Sequence, residues 1–545
     1  MVKNFDGEMV NIKFYLATIL FAVTLSFGWS QTFSIHLNQS FYIVGQTLSF
    51  AVYPHKDLLI DSMLIYTELY SPGSELKQQR IYRLHSRSVE GSMELPILYE
   101  EGNYILTCYA LMDTGRFSSQ PLYTSINVPI YNNLEEKPEE LEKLDYPQPP
   151  IENINHEDSF YTRNTYTWSI NLLPLSEHPQ DGEYSVSIFK YEGFYTNAEM
   201  VSQSESTVSK GEIIASTIRK NIFLDGKLND RLNGKNITEK YLSLYLPQTG
   251  AFHRMQATAG MVKMALPDIY NVQKAQLLSM NPNQRLNLGW NPVTSYFNVD
   301  WINDRNRKLE RNQTVNYVLW QDSKRRLIED IFKITAPSVI TPIDTIKTIP
   351  PDKSYLLSDY KDLKSLRNFI KEVMIDCRIS KVVNDRQSLR LRNKDLNQLY
   401  RWPAWYLVNG FFVGDDSLML NLQLADIKQI DLYNRNTTFD QQFDPMMAYT
   451  GVIAINTTSN IETAQNVFPL NGLSLERPAT TSMLASNLPD LRTQIYWSSK
   501  LKADQSGKLN VGFATSDVKG IYAVEVHGVD GRKVPVSKRV FIEVR

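Results

Sequence analysis

Seven histidines and two cysteines are the side chains of this sequence best suited to catalysis or metal binding, and their spacing decides what they could do. The histidines are His36, His55, His85, His156, His178, His253 and His527. Zinc-dependent hydrolysis commonly uses two histidines one helical turn apart with a glutamate between them, so that rings and base converge on one helix face. None of these histidines has another within four residues. Serine chemistry on a nucleophile elbow would need G-x-S-x-G, and phosphate or dinucleotide binding a P-loop or G-x-G-x-x-G. No such motif occurs. No local pair of carboxylates marks a general acid and base. Cys108 in YILTCYALMD and Cys377 in VMIDCRIS sit within apolar pattern. They read as two buried thiols, with a disulfide as the alternative in an oxidising compartment. No catalytic, cofactor-binding or metal-ligating residue is nominated, and the expectation is a protein without enzymatic activity or cofactor.

The elements that surround these residues are mostly short strands. At 545 residues the chain has room for three to five domains. Its 30 tyrosines and 23 phenylalanines favour strands. The balance of 57 basic against 59 acidic side chains argues against a nucleic-acid partner, which would call for a basic excess. Residues 1–30 read as a signal peptide: Lys13 precedes the apolar run FYLATILFAVTLSFG, Phe14 to Gly28, and small residues flank a cut after Ser30. The run is short for a membrane span. Asp6 and Glu8 are unusual so early, and Met9 would make a more typical start. No cysteine near the cut could carry a lipid.

Residues 31–130 alternate in strand-length segments, QTLSFAVYP, SMLIYTELYSPG and GNYILTCYALMD, separated by turn residues. Tyr42, Gly45, Gln46, Leu48 and Phe50, then Glu68 to Gly73, then Gly102, Tyr104 and Leu106 resemble the second macroglobulin-type domain of the α2-macroglobulin family. The resemblance implies a sandwich of about a hundred residues. That family traps proteases through a Cys-Gly-Glu-Gln thioester. Here Cys108 is followed by Tyr-Ala-Leu and Cys377 by Arg-Ile-Ser, so covalent trapping is not expected. Residues 131–158 hold the segment Asn132 to Pro150, whose six carboxylates, two lysines and four prolines read as a linker. Strand pattern resumes at 159–217 and, as a small sandwich, at 218–290. Residues 291–345, with the polar segment DWINDRNRKLERNQ, read as an irregular connection.

Residues 346–460 change character. Leu363, Leu366, Phe369, Ile370 and Val373 make the stripe of an amphipathic helix within Asp359 to Ile379. Strand-like runs follow at Pro403 to Gly410, Asp426 to Leu432 and Gly451 to Thr457. Their order and wording resemble the plug domain of TonB-dependent receptors, which implies a small α/β unit. Leu407, Val408, Ile427, Ile430, Val452, Ile453 and Ile455 would fill its core, with Gly410 and Gly451 serving backbone geometry. Residues 461–486 read as a linker and 487–545 as a closing sandwich. Asp490, Arg492, Thr493, Tyr496 and Trp497, then Asp504, Gly507, Phe513, Asp517, Gly520 and Tyr522, resemble the last domain of exported Bacteroidota proteins that join macroglobulin-like modules to a lone plug module.

The fold expected is therefore mainly β and multidomain, with several macroglobulin- or immunoglobulin-like sandwiches and one α/β plug-like unit. The function expected is that of an exported, non-enzymatic accessory protein in the periplasm or at the periplasmic face of an outer membrane. Its partner would be an outer-membrane protein, docked through the plug-like unit or a sandwich. Two alternatives are a surface adhesin or glycan binder delivered by type IX secretion, and a transport component working with a separately encoded β-barrel.

Overall fold

A computed structural model describes residues 33–55, 60–115, 118–133, 154–192, 218–238, 241–281, 288–297, 313–331, 350–360, 365–381, 387–435, 443–458, 465–475 and 488–545, with a few single positions between them. The signal-peptide expectation at 1–30 and most of the acidic segment at 132–150 lie outside the described residues. Among the described residues, no helix is long and apolar enough to cross a membrane. The chain is mainly β and multidomain, and its described residues form three sandwiches and one α/β unit.

The N-terminal sandwich spans 33–131. Its smaller sheet is Phe33–Leu37, Thr47–Pro54 and Val89–Glu94, and its larger one has the long hairpin Gly102–Gly115 and Ser118–Tyr131 at its centre. Alternation sorts the strands as the pleat requires. Phe33, Ile35 and Leu37 enter the core with Leu48, Phe50 and Val52, while Ser34, His36, Ala51 and Tyr53 face the other way.

The expected separation of 159–217 from 487–545 differs from what the strands do. Glu183–Lys190 lies between Gln494–Leu501 and Gly520–Val529, so both stretches build one sandwich. Among the described residues its larger sheet has five strands, Ile154–Phe160 closing one edge, and its smaller sheet has Thr165–Asn171 and Lys508–Ala514. Neither half has an apolar partner for its inner face alone; together they bury Val186, Ile188, Val511, Val524 and Ile542. This split sandwich encloses everything between its halves.

The same happens one level further in. The expected linker at 461–486 contains the strand Val467–Asn471, which pairs with Val272–Ser279 and completes the inner sandwich begun at 218. Phe468 and Leu470 point into the core; Pro469, which lacks an N–H, is tolerated because this strand ends its sheet. The region 291–345 is not simply irregular, since Gln313–Ile331 is a helix whose Val315 and Leu319 pack on Ile43 and Tyr131 of the N-terminal sandwich.

The α/β unit, 350–458, is inserted into the inner sandwich. Its mixed sheet runs Lys353–Leu356, Ile427–Tyr433, Val452–Thr457, Trp405–Val408 and Phe411–Val413. The helix is shorter than the stripe suggested, Leu366–Glu372, capped by the Ser365 hydroxyl accepting from the Asn368 amide at 3.3 Å. Its expected C-terminal end is instead the strand Cys377–Lys381. Asn409 and Gly410 both take positive φ, 47° and 83°, and form the two-residue turn of a hairpin. Val408, Ile427, Ile430, Ile453 and Ile455 meet Leu366, Phe369 and Ile370 in one core. Leu407 and Val452 do not; they face the inner sandwich with Tyr245, Leu278 and Phe412. Both faces of the sheet are covered, which is why its strands read as continuous apolar runs.

Candidate functional site

The outward faces of two sheets meet where the N-terminal and split sandwiches join, and this junction carries polar groups. Ser34 and His36 stand on one side; Ser185, Ser187, Glu525 and His527 stand on the other. The hydroxyl of Ser185 is 2.6 Å from His36 Nδ1 and that of Ser187 is 3.2 Å from His36 Nε2. The rings of His36 and His527 lie 4.2 Å apart between centroids, tilted by 30°, and the Trp497 ring is 5.0 Å from His36. Glu525 is buried and is paired with Arg539, whose guanidinium reaches the surface. His36 Nε2 is 3.8 Å from Glu525 Oε2.

Burial lowers the pKa of both rings. For His36 the neighbouring His527 and Arg539 add to the effect. For His527 the carboxylate of Glu525 opposes it. Both imidazoles are therefore held neutral, and a neutral pair can stack where a charged pair would repel. Around them the junction is pinned by hydrogen bonds between the two sandwiches. Trp497 donates to Glu90 at 3.2 Å, Ser86 to Glu183 at 3.2 Å and Asn38 to Gln494 at 2.7 Å.

A cavity of about 410 Å³ opens beside this junction, under the helix Gln313–Ile331. Phe41, Ile43, Phe189, Val318 and Ile328 give it an apolar floor. Lys190, Lys324, Arg325 and Lys519 stand around it with Glu192 and Asp322. Burial raises the pKa of Glu192, opposed by Lys190 at 3.3 Å. The volume falls in the range of small-molecule sites.

The two cysteines take no part. Both are buried and unbridged, Cys108 in the N-terminal sandwich and Cys377 in the α/β unit. Burial pushes both thiols up, that of Cys377 to about 12. Such thiols are poor nucleophiles.

Sequence reading treated the seven histidines singly, and the structure joins two of them. A local signal existed. In VEVHG, Glu525 and His527 are two residues apart on a strand, so they share a face. The arrival of His36 opposite them has no local signal, because it follows from the packing of two sandwiches.

No family model and no curated protein matches the sequence. Among solved structures, the native conformation of Escherichia coli α2-macroglobulin aligns with 95% of this chain and 40% of its own, at 8% identity and a TM-score of 0.25. Salmonella α2-macroglobulin reacted with methylamine aligns with 95% and 40%, at 9% identity and a TM-score of 0.24. A tetra-tandem repeat from the extending region of a large adhesion protein aligns with 94% and 99%, at 8% identity and a TM-score of 0.15. This chain spans about two-fifths of the length of those α2-macroglobulins.

Proposed function

We propose that this protein is an exported, non-enzymatic accessory protein that docks to an outer-membrane protein by accepting a strand on its split sandwich. The observation that carries this reading is the imbalance of that sandwich, five strands against two. Thr165–Asn171 and Lys508–Ala514 pair with each other and, among the described residues, with no further strand. Each thus offers an outer edge of backbone donors and acceptors over seven residues, the template for β-augmentation. Thr165, Thr167 and Ser169 are exposed along it, so a partner's side chains would meet small hydroxyl groups.

The α/β unit is assigned a different role from the one its plug-like wording implied. One face of its sheet is buried against its own helices and the other against the inner sandwich. Gln276 ties the two units further, donating to the Phe412 carbonyl at 2.6 Å and accepting from the Phe412 amide at 2.8 Å. A unit held in this way is a spacer within its own chain and not a plug for another protein's pore.

The test is a photo-crosslinking residue at Thr167 in cells, followed by purification from solubilised outer membranes. A crosslink from this position to one outer-membrane protein is expected. Recovery only as a free monomer under mild detergent would overturn the reading. Crosslinks from the α/β unit to a β-barrel, with none from Thr167, would favour the transport alternative instead.

A further inference from the structure

We propose that His36, Glu525 and His527 form a binding site for a divalent transition metal of the zinc class, which clamps the N-terminal sandwich to the split sandwich. The clamp is independent of the docking edge, which lies on the other sheet of the split sandwich. Among the described residues, these three side chains bring one ligand atom each to within 4.8 Å of one another. Two of the three belong to one strand and the third to another domain, so an ion bound here would join two folding units.

The distances favour an ion over a direct bond. The 3.8 Å between His36 Nε2 and Glu525 Oε2 exceeds a hydrogen bond. Two ligand atoms each about 2.0–2.1 Å from a tetrahedral zinc ion stand roughly 3.3 Å apart, so His36 and Glu525 need approach by only about half an ångström, and the widest pair of the three by up to roughly 1.5 Å. The ring stack of His36 and His527 brings the imidazoles side by side, and the rings would turn apart about their side-chain torsions to aim a nitrogen each at one ion.

The surroundings supply the outer partners that metal sites use to orient their ligands. Ser185 holds His36 Nδ1 at 2.6 Å, which directs Nε2 toward Glu525. Arg539 holds one oxygen of Glu525, and the other faces His36. The Ser187 hydroxyl, 3.2 Å from Nε2, would give up that hydrogen bond as the ion takes the nitrogen. His527 is only partly buried and Arg539 reaches solvent, so an ion has a way in and the guanidinium charge is screened. Imidazole and carboxylate donors suit zinc, nickel or copper, and not calcium or magnesium.

The full mature chain, stripped with a chelator and dialysed, would be titrated with Zn2+ by calorimetry, and with Co2+ as a spectroscopic probe. One equivalent per chain is expected, with a rise in melting temperature and the visible absorption of four-coordinate Co2+. His527→Gln and Glu525→Gln should each abolish the zinc-dependent rise, and Ser185→Ala should weaken binding about tenfold. His253→Gln should bind as the parent does. Absence of a bound equivalent, or an unchanged zinc-dependent rise in His527→Gln, would overturn the site. Should His36→Gln fail to fold, the Co2+ spectra of the parent and of His527→Gln decide alone.

Discussion

Two junctions in this chain are built on opposite principles. Where the α/β unit meets the inner sandwich, Tyr245, Leu278, Trp405, Phe412 and Val452 make a continuous apolar layer. Phe412 lies 4.9 Å from Tyr245 and 5.7 Å from Trp405 between ring centroids. Where the N-terminal and split sandwiches meet, the apolar contribution shrinks to Ala51, Tyr53, Trp497 and Val529, and hydroxyls, imidazoles and ion pairs fill the rest. An apolar layer gains stability with each group removed from water, whatever the exact geometry. A polar junction gains little net free energy per bond, but losing one partner strands the other in a dry place. The first kind makes a permanent union. The second depends on every member being present.

The largest test of this contrast is Phe412→Ala, which should cost about 3–5 kcal/mol by leaving an aromatic-sized cavity in the apolar junction. Urea unfolding would show it, and a loss well under 1 kcal/mol would mean the layer is incidental. Ile453→Ala, inside the α/β core at 1% exposure, should cost about 2–5 kcal/mol. If the two units unfold as one, both variants shift the same single transition; two separate transitions would show that the junction is weaker than its composition implies. At the polar junction, Arg539→Ala should cost about 1–3 kcal/mol, because the buried Glu525 then loses its ion-pair partner. Replacing both, as Arg539→Met with Glu525→Leu, should recover most of that loss. Failure of the double variant to recover would locate the penalty in packing.

The smallest expected effect concerns pH. Burial lowers the pKa of His253 on the strand Ala251–Met255, so protonation favours the unfolded chain. The stability it contributes is full above the unfolded value of about 6.5 and is lost as pH falls below it. The melting temperature should therefore fall slightly more on acidification in the parent than in His253→Asn. Equal falls would remove His253 from the account.

How much of this was legible follows from how local each signal is. Alternation in QTLSFAVYP and the backbone role of Gly410 are set by neighbours in sequence, and the strand and the positive φ of Gly410 both form as read. The mainly β, multisandwich architecture follows from many such segments. Domain membership was not legible. Glu183–Lys190 needs partners from beyond residue 490, and no pattern within EYSVSIFK names them. VFPLN looked like a linker because Pro469 weakens its strand propensity; its place at the end of a sheet removes the objection. The helix Gln313–Ile331 was hidden for a related reason. Its buried Val315 and Leu319 serve a small contact, and Asp322, Arg325 and Arg326 occupy the turns beyond with ion pairs. At the His36 cluster, only the two-residue spacing of Glu525 and His527 was visible.

The nesting of one unit within another dictates an order of assembly. During synthesis the N-terminal sandwich has all its strands early and can fold at once. The split sandwich cannot, because Glu183–Lys190 must wait for Gln494–Leu501 and Gly520–Val529. In the interval the α/β unit closes first, the inner sandwich follows when Val467–Asn471 arrives, and the outer one is last. Non-local pairing of this kind folds slowly and leaves strand edges open to wrong partners meanwhile. The strand Ile154–Phe160 waits longest, because its partner Pro535–Val544 is the last strand to be made.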